Sequence, residues 1–283
     1  MIVTRFAPSP TGLLHLGHAA SALFAFDRAR QQNGTFLLRI EDIDPVRCKE
    51  PFIQAIEEDL QWLGLDWPTP VRCQSRHLSD YQKALQKLRS MGVLYPCYCT
   101  RKEVQAEAAA AGHAPHIAPD GGEGLLYPGT CRRLTEKQRR ELESSRQPVW
   151  RLDMQKALSM TGELSWTDER TGLVKAKPER FGDVVLARKD VPTSYHLSVV
   201  VDDALQGVTC VTRGEDLFQV TDIHCLLQAL LDLPTPTYHH HTLLVDSSGR
   251  RLAKRDHSLT LRALREQGAT PDEVRQKIPL SFS

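Results

Sequence analysis

The segment from Arg5 to His18 constrains the fold most, because fourteen residues combine a strand end, a tight turn and a helix start. Residues 2–4 are apolar or β-branched, as is typical of a strand, and prolines and glycines then break regular structure. The apolar spacing of residues 19–30 predicts a helix. His15 and His18 therefore lie three residues apart at a helix N-terminus, where exposed N–H groups and the helix dipole favour a phosphate anion.

Composition excludes several classes of protein. The 283 residues are 41% apolar and 25% charged, which is ordinary for a globular enzyme-sized chain. No run approaches the roughly 18 to 20 apolar residues of a membrane span, and the N-terminus lacks the pattern of a secretory signal. We therefore expect a cytoplasmic protein with no membrane partner. Seven cysteines favour reduced thiols or a metal site over a disulfide framework, and the net charge of +1 decides nothing about nucleic acid.

The first hundred residues alternate between strand and helix patterns. Residues 35–40 predict a second strand that ends in carboxylates, beginning with Glu41. Residues 49–63 and 78–91 have helical apolar spacing, and each run is followed by a glycine. Strand, helix and strand imply a right-handed parallel unit, so the fold class expected is an open α/β sheet.

The pattern changes near Tyr95 to clustered cysteines and an alanine-rich run, and it returns to apolar strands after Arg188. We predict a catalytic domain over 1–94 and 189–283, with an inserted subdomain over 95–188. In the returning part, residues 196–201 predict a buried strand ending at Asp202 and Asp203, and residues 208–211 predict another. Ligands of open parallel sheets bind beyond the carboxyl ends of strands. We expect four groups of residues to lie at such strand ends: Arg5 to Ser9, Glu41, Asp202 and Arg213.

With these residues in place, the chain resembles the class I aminoacyl-tRNA synthetases and, among them, the glutamyl enzymes. Residues 5–12 followed by His15-Leu16-Gly17-His18 are similar to the first ATP motif of the family, and residues 39–44 are similar to its next landmark. The resemblance implies a Rossmann-like class I synthetase catalytic domain carrying an inserted, zinc-containing acceptor-type subdomain. It also implies ATP binding through Pro8, His15, Gly17 and His18.

Residues 251–255 occupy the place of the second ATP motif of the family, a lysine-rich loop. The sequence departs from the usual motif at Arg251 and Ala253, but Lys254 is kept. The family joins an amino acid carboxylate to the α-phosphate of ATP, so its site positions and neutralises charge without a nucleophile of its own. We predict that His15, His18 and Lys254 do this work together with Mg²⁺ bound to ATP. For Lys254 alone, a solvated basic hairpin is the alternative.

A glutamate substrate presents two carboxylates and one ammonium group, so a selective pocket needs guanidinium groups and at least one carboxylate. The resemblance implies that Arg5 and Arg213 bind carboxylates and that Tyr195 adds a hydroxyl. It assigns Glu41 and Ser9 to the ammonium group. The alternative for each arginine and glutamate is a surface ion pair of little energetic weight.

Cys97, Cys99 and Cys131 lie in the insertion at a spacing that suggests structural zinc, but three thiols leave a tetrahedral site one ligand short. The resemblance supplies Tyr127, whereas His113 and His116 are chemically commoner ligands. A group of buried thiols is the alternative to any metal. In the run Tyr238-His239-His240-His241, adjacent strand side chains point to opposite faces, so we predict a strand bordering the ATP site and no metal centre there.

Only 28 residues follow Arg255, which is too short for the helical anticodon-binding domain of full glutamyl enzymes. The resemblance therefore favours a shortened branch of the family, which transfers L-glutamate to the queuosine base in the anticodon stem-loop of tRNA(Asp). The insertion would contact that stem-loop mainly by shape and phosphate contacts. The alternatives are a glutamyl enzyme that charges a tRNA 3′ end and a catalytically silent relative that binds RNA. A monomer is expected.

Overall fold

The first part of the chain is a parallel α/β unit. The computed structural model describes residues 1–110, 116–117, 123–124, 126–244 and 260–278. Its elements up to the first cysteine pair are β1 (Val3–Phe6), α1 (Leu16–Gln31), β2 (Thr35–Ile40), α2 (Glu50–Trp62), β3 (Arg72–Cys73), α3 (Leu78–Ser90) and β4 (Leu94–Cys97). Strands β1, β2 and β3 form a parallel sheet in that order, with Val3 opposite Thr35 and Arg39 opposite Arg72.

The rest of the described chain adds two further sheets of several strands. Its elements are α4 (Arg101–Ala110), β5 (His116–Ile117), β6 (Glu123–Gly124), α5 (Glu136–Glu143), β7 (Val149–Leu152), α6 (Met154–Thr161), β8 (Ser165–Asp168), β9 (Gly172–Lys175), β10 (Val185–Ala187), α7 (Tyr195–Leu205), β11 (Cys210–Gly214), α8 (Thr221–Leu231), β12 (Thr237–His241), α9 (Leu261–Glu266) and α10 (Pro271–Gln276). Strands β10, β7 and β4 form an antiparallel sheet, and β11, β12, β8 and β9 form a mixed one. Thus β8 and β9, which come from within 95–188, extend the sheet of β11 and β12.

Strand β1 lies beside β11 and links the first sheet to the mixed one. The Thr209 backbone N–H donates to the Val3 carbonyl at 3.0 Å, and the Arg5 side chain donates to the Thr212 carbonyl at 3.1 Å. Because both positions advance together along the two strands, β1 and β11 run in the same direction. Their carboxyl ends, at Phe6 and Gly214, consequently lie at one edge of the molecule.

Two hydrophobic clusters pack the helices against the strands and against one another. The first joins α1 to β1 and β2, with Leu23 and Ile40 fully buried, and it also takes in α9 and α10. The second packs α3, α7 and α8 together through residues that include Leu88, Leu197 and Leu227. Burial of a large aliphatic side chain contributes about 1.5–3 kcal/mol, so these clusters are the main source of stability. No helix within the described ranges is long and apolar enough to cross a membrane.

Most of the helices and strands expected from the sequence are confirmed. Strand 35–40 is found at those bounds, and α2 and α3 begin and end within one residue of the predicted runs. The prediction of a strand over residues 196–201 is wrong, because this segment lies in helix α7. Seven residues of α7 are buried, so its apolar run is continuous and lacks the spacing of three and four residues that distinguishes a helix from a buried strand.

Candidate active site

Helix α1 begins at the predicted histidine pair. His15 is the N-cap residue, and its Nδ1 accepts a hydrogen bond from the Gly17 backbone N–H at 3.1 Å. The Nδ1 of His18 accepts from the His15 N–H at 3.3 Å, and the two ring centroids lie 3.8 Å apart. Because Nδ1 accepts in both neutral rings, each ring carries its proton on Nε2. Both histidines therefore contribute to the cap of the helix, and each carries its ring hydrogen on Nε2.

The returning C-terminal chain reaches the same turn. Thr260 pairs with His15 in an isolated antiparallel bridge, and the Leu261 N–H donates to the Leu14 carbonyl at 2.8 Å. Leu261 is fully buried in the cluster under α1. Lys254, Arg251 and Ala253 lie outside the described residues.

A cleft opens where β1 and β2 end. Its empty space, part of which is open solvent, amounts to about 560 Å³. Three of the predicted amino acid ligands, Ser9, Glu41 and Tyr195, line this cleft. The Glu41 N–H donates to the Pro8 carbonyl at 3.0 Å, which ties the two strand ends together. The other lining residues are Thr11, Ile43, Asp44, Arg47, Cys48, Gln74, Arg188 and Ser194.

Buried charges support the wall of this cleft. Glu41 accepts from Arg39 at 3.1 Å, and Arg39 is completely buried. Asp203 Oδ1 accepts from Arg39 Nη1 at 2.7 Å and from Arg5 Nε at 3.1 Å. Burial raises the pKa of Glu41, while the nearby charges of Arg39 and Arg5 oppose that rise. One aspartate therefore fixes two guanidinium groups, one of which faces Glu41.

Arg39 and Asp203 are site residues that the sequence prediction missed. Asp202 was expected at the carboxyl end of a strand, and that placement is wrong because it lies in α7. Its carboxylate is fully buried and accepts hydrogen bonds from Arg72, Gln74 and Tyr81. The side chain of Asp202 therefore joins α7 to β3 and α3 and does not line the cleft. The sequence signals for this network were the Asp202-Asp203 pair after an apolar run and the position of Arg39 at the start of the 39–44 landmark.

Arg213 lies in β11 and is 6% exposed. Its Nε donates to His240 Nε2 at 3.1 Å, its Nη1 lies 3.2 Å from His224 Nδ1, and its Nη2 donates to Thr221. The Tyr195 ring, which lines the cleft, lies 5.6 Å from the His224 ring. Groups on α8 and β12 thus hold Arg213, and one of them, His224, also lies beside the Tyr195 ring.

The three consecutive histidines of β12 diverge, as expected for a strand. His239 pairs with Glu169 at 2.9 Å, His240 with Asp168 at 2.7 Å, and His241 contacts the Ser21 hydroxyl at 3.0 Å. The three rings therefore have three different partners, on β8 and the turn after it for His239 and His240 and on α1 for His241. Ser21 belongs to α1, so β12 borders the helix that the histidine pair caps.

The insertion contains one group of candidate metal ligands among the residues that the structure describes. The sulfur atoms of Cys97, Cys99 and Cys131 all lie within 4.8 Å of one another. Tyr127 Oη lies 3.3 Å from Cys97 Sγ and 3.5 Å from Cys99 Sγ. The two sulfurs of Cys99 and Cys131 are 3.4 Å apart. Three thiols and one phenol therefore surround a single point.

These distances suit a tetrahedral metal ion. Zn–S bonds of about 2.3 Å and Zn–O bonds of about 2.0 Å place neighbouring ligand atoms roughly 3.5–3.8 Å apart in a tetrahedron. The Tyr127 ring is also held, because the Arg151 guanidinium carbon lies 3.9 Å from its centroid. Burial raises the pKa of the Tyr127 phenol, whereas a bound metal ion would lower it, as metal ions do for their ligands. His113 lies outside the described residues, as does the side chain of His116.

A family model for the catalytic domain of class I tRNA synthetases, of the E and Q kind, matches residues 1–282. The chain therefore belongs to this family of ligases, whose members act on ATP, an amino acid and tRNA. The α/β architecture agrees with that class, which confirms the predicted fold class.

Curated relatives are similar over nearly the whole chain. A protein named glutamyl-Q tRNA(Asp) synthetase from Rhodobacter capsulatus is 48% identical, covering 99% of this chain and 100% of the relative. A glutamate-tRNA ligase from Aquifex aeolicus is 36% identical, covering 96% of this chain but 55% of its own length. The solved glutamate-tRNA synthetase of Elizabethkingia anophelis superposes with a TM-score of 0.75 at 27% identity, over 90% of this chain and 53% of that one.

Proposed function

We propose that the protein activates L-glutamate with ATP and transfers it to the queuosine base in the anticodon loop of tRNA(Asp). The observation that carries this proposal is the cleft lined by Ser9, Glu41 and Tyr195, with two buried guanidinium groups supporting its wall. The similarity to proteins named glutamyl-Q tRNA(Asp) synthetase at 42–48% identity supports the acceptor.

The charge pattern of the cleft suits glutamate. In the proposal, Glu41 and Ser9 hold the ammonium group, whereas Arg5 and Arg213 bind the carboxylates and Tyr195 adds a hydrogen bond. An arginine pairs with a carboxylate through two parallel N–H donors, which gives direction as well as attraction. Arg39 is proposed to keep Glu41 ionised, because the carboxylate form alone pairs fully with an ammonium group.

The ATP step follows from the helix start. A carboxylate oxygen of glutamate attacks the α-phosphorus, and the bond to the departing pyrophosphate breaks. We propose that the Nε2–H groups of His15 and His18 donate to the phosphates, with Gly17 and Pro8 shaping the turn. Lys254 is proposed to neutralise the negative charge of the same phosphates, and Mg²⁺ would enter the site bound to ATP. The adenylate carbonyl is then attacked by a nucleophile of the queuosine base, which releases AMP.

Cys97, Cys99, Tyr127 and Cys131 are proposed to hold one structural zinc ion. Three thiolates and one phenolate fit a closed tetrahedral site with no open position, so the metal would support the insertion and take no part in the reaction. We place this insertion, residues 95–188, against the tRNA stem-loop, and the catalytic domain in residues 1–94 and 189–283.

Two assays test the proposal. Purified protein should catalyse glutamate-dependent ATP–pyrophosphate exchange without tRNA, and aspartate should serve as the control amino acid. Labelled glutamate should then appear on queuosine-containing tRNA(Asp), and nuclease mapping should place the label in the anticodon loop. Absence of exchange would contradict glutamate activation, whereas exchange without transfer would contradict the acceptor.

A second candidate is a glutamate-tRNA ligase that charges the 3′ end of tRNA(Glu). The 36% identity to the Aquifex aeolicus ligase favours it. Periodate oxidation distinguishes a label at the terminal ribose from one in the loop, because an esterified 3′ adenosine is protected. Label recovered at the 3′ adenosine would select this candidate.

A further inference from the structure

The buried guanidinium of Arg213 is surrounded by groups that can accept hydrogen bonds. Two of the three neighbouring acceptors are histidine nitrogens, His240 Nε2 at 3.1 Å and His224 Nδ1 at 3.2 Å. A histidine nitrogen accepts only when it carries no hydrogen, whereas every nitrogen of an arginine can only donate. The protonation of these two rings therefore decides whether Arg213 is held or repelled.

Asp168 fixes the hydrogen of His240. Its Oδ2 lies 2.7 Å from His240 Nδ1 and accepts from the His240 backbone N–H at 3.2 Å. Its Oδ1 accepts from the backbone N–H groups of Arg170 and Thr171 at 3.0 and 3.1 Å. A carboxylate with these partners can only accept, so the ring hydrogen of His240 lies on Nδ1. Nε2 then presents a lone pair to Arg213.

His224 has the opposite arrangement. Its Nδ1 faces Arg213, so its hydrogen lies on Nε2, which is 3.5 Å from His196 Nδ1. Burial, followed by the charge of Arg213, lowers the pKa of His224 well below its ordinary value. The same two causes lower the pKa of His240 to about 4. Both rings are therefore neutral at pH 7, in different tautomers.

We propose that Asp168, His240 and His224 are positioning residues for Arg213, which they hold through two opposite histidine tautomers. This inference rests on the proposed role of Arg213 in binding glutamate. The guanidinium has five N–H groups, and within the described part of the chain three of them meet protein acceptors. The remaining two can bind one carboxylate of the substrate in a fixed orientation.

The first test uses the unmodified protein. Histidine-selective ¹⁵N labelling and long-range ¹H–¹⁵N correlation spectra at pH 7 report the tautomer of each ring. We expect an Nδ1–H signal for His240 and an Nε2–H signal for His224, assigned with His240→Gln and His224→Gln. An Nε2–H tautomer or an imidazolium at His240 would overturn the inference, and this result does not depend on any enzymatic assay.

The second test replaces Asp168 with asparagine. The amide has one oxygen, so an Asn side chain cannot accept from both the 170–171 backbone and His240. With its nitrogen toward the ring, His240 takes the Nε2–H tautomer and places a hydrogen against Arg213 Nε–H. We expect the KM for glutamate in pyrophosphate exchange to rise at least about tenfold, with the KM for ATP within about twofold of the original value.

Asp183→Asn is the matched control. Asp183 is 4% exposed, and its carboxylate accepts from Tyr95 at 2.6 Å, from the Met154 N–H at 3.0 Å and from Arg132 at 3.3 Å, all of which belong to the insertion. It should leave the His240 tautomer and the KM for glutamate unchanged. An unchanged KM in Asp168→Asn would overturn the inference. Absence of exchange in the original protein would instead refute the proposed function, so the two failures are distinguishable.

Discussion

Replacement of Asp203 by asparagine tests the charge network beneath the cleft. Asp203 Oδ1 accepts from Arg39 at 2.7 Å and from Arg5 at 3.1 Å, and all three side chains are at least nine-tenths buried. Asparagine keeps the shape and one acceptor oxygen but removes the negative charge. The variant therefore leaves two buried guanidinium groups with one fewer counter-charge.

The loss of the Asp203 charge should lower the free energy of unfolding by an amount typical of a broken buried ion pair. Loss of one partner from a buried ion pair destabilises a protein by about 3–5 kcal/mol. Arg39 keeps Glu41 at 3.1 Å and Asp202 at 3.7 Å, so the loss should lie near the lower end of that range. We expect Asp203→Asn to lower the free energy of unfolding by about 3 kcal/mol at pH 7, measured by urea denaturation.

The same variant has a characteristic pH dependence. Burial raises the pKa of Asp203, but the charges of Arg5 and Arg39 outweigh it, so the folded-state pKa lies below the ordinary value. Its contribution is therefore present above the unfolded pKa of about 3.9 and is lost as the pH falls through the folded pKa. The difference in stability between the original protein and Asp203→Asn should narrow below about pH 4.

Glu163→Gln is the control for loss of a surface carboxylate. Glu163 pairs with Lys175 at 2.6 Å, but its side chain is 84% exposed, so its loss should scarcely change the urea midpoint. If Asp203→Asn changed the free energy of unfolding as little as Glu163→Gln does, the reasoning would be refuted. A stability difference that stays constant from pH 7 to pH 3 would refute it as well.

Three further variants test the proposed ligands. Tyr127→Phe should lower zinc affinity at least about tenfold in competition with a chelator, since it removes one of four ligands; equal affinity would exclude the phenol as a ligand. Glu41→Gln should weaken glutamate binding about 10- to 100-fold by calorimetry, because the ammonium group loses a charged acceptor. Lys254→Ala should slow pyrophosphate exchange about 100-fold with little change in glutamate affinity, and an unchanged exchange rate would remove Lys254 from the mechanism.

The sequence predicted the fold well where local patterns were sufficient. Strand β2 follows from a short, mainly apolar run that ends in carboxylates, and helices α2 and α3 follow from helical spacing and a terminal glycine; each of these signals is local in the sequence. Helix α7 was missed because it is buried along seven consecutive residues, which include the apolar run Val199 to Val201. A helix buried in this way loses the polar face that makes its period visible.

The candidate site was only partly predictable for a related reason. Arg5, Glu41 and Arg213 are charged residues at strand ends, so position alone marked them. The residues that support them, such as Asp203 and His240, are recognised only through partners far away in sequence. Arg5 and Asp203, for example, are 198 residues apart. Such pairings depend on topology, which the sequence pattern does not contain.

The Arg39–Asp203 contact also has a consequence for biosynthesis. The two residues are 164 positions apart, and Arg39 cannot be buried at low cost before its partner exists. At about 5–20 residues per second, the ribosome needs roughly 8–33 s to add that length of chain. The N-terminal strands therefore emerge long before the Asp203 carboxylate that Arg5 and Arg39 share, so nascent chains that stop before α7 should remain substrates for chaperones.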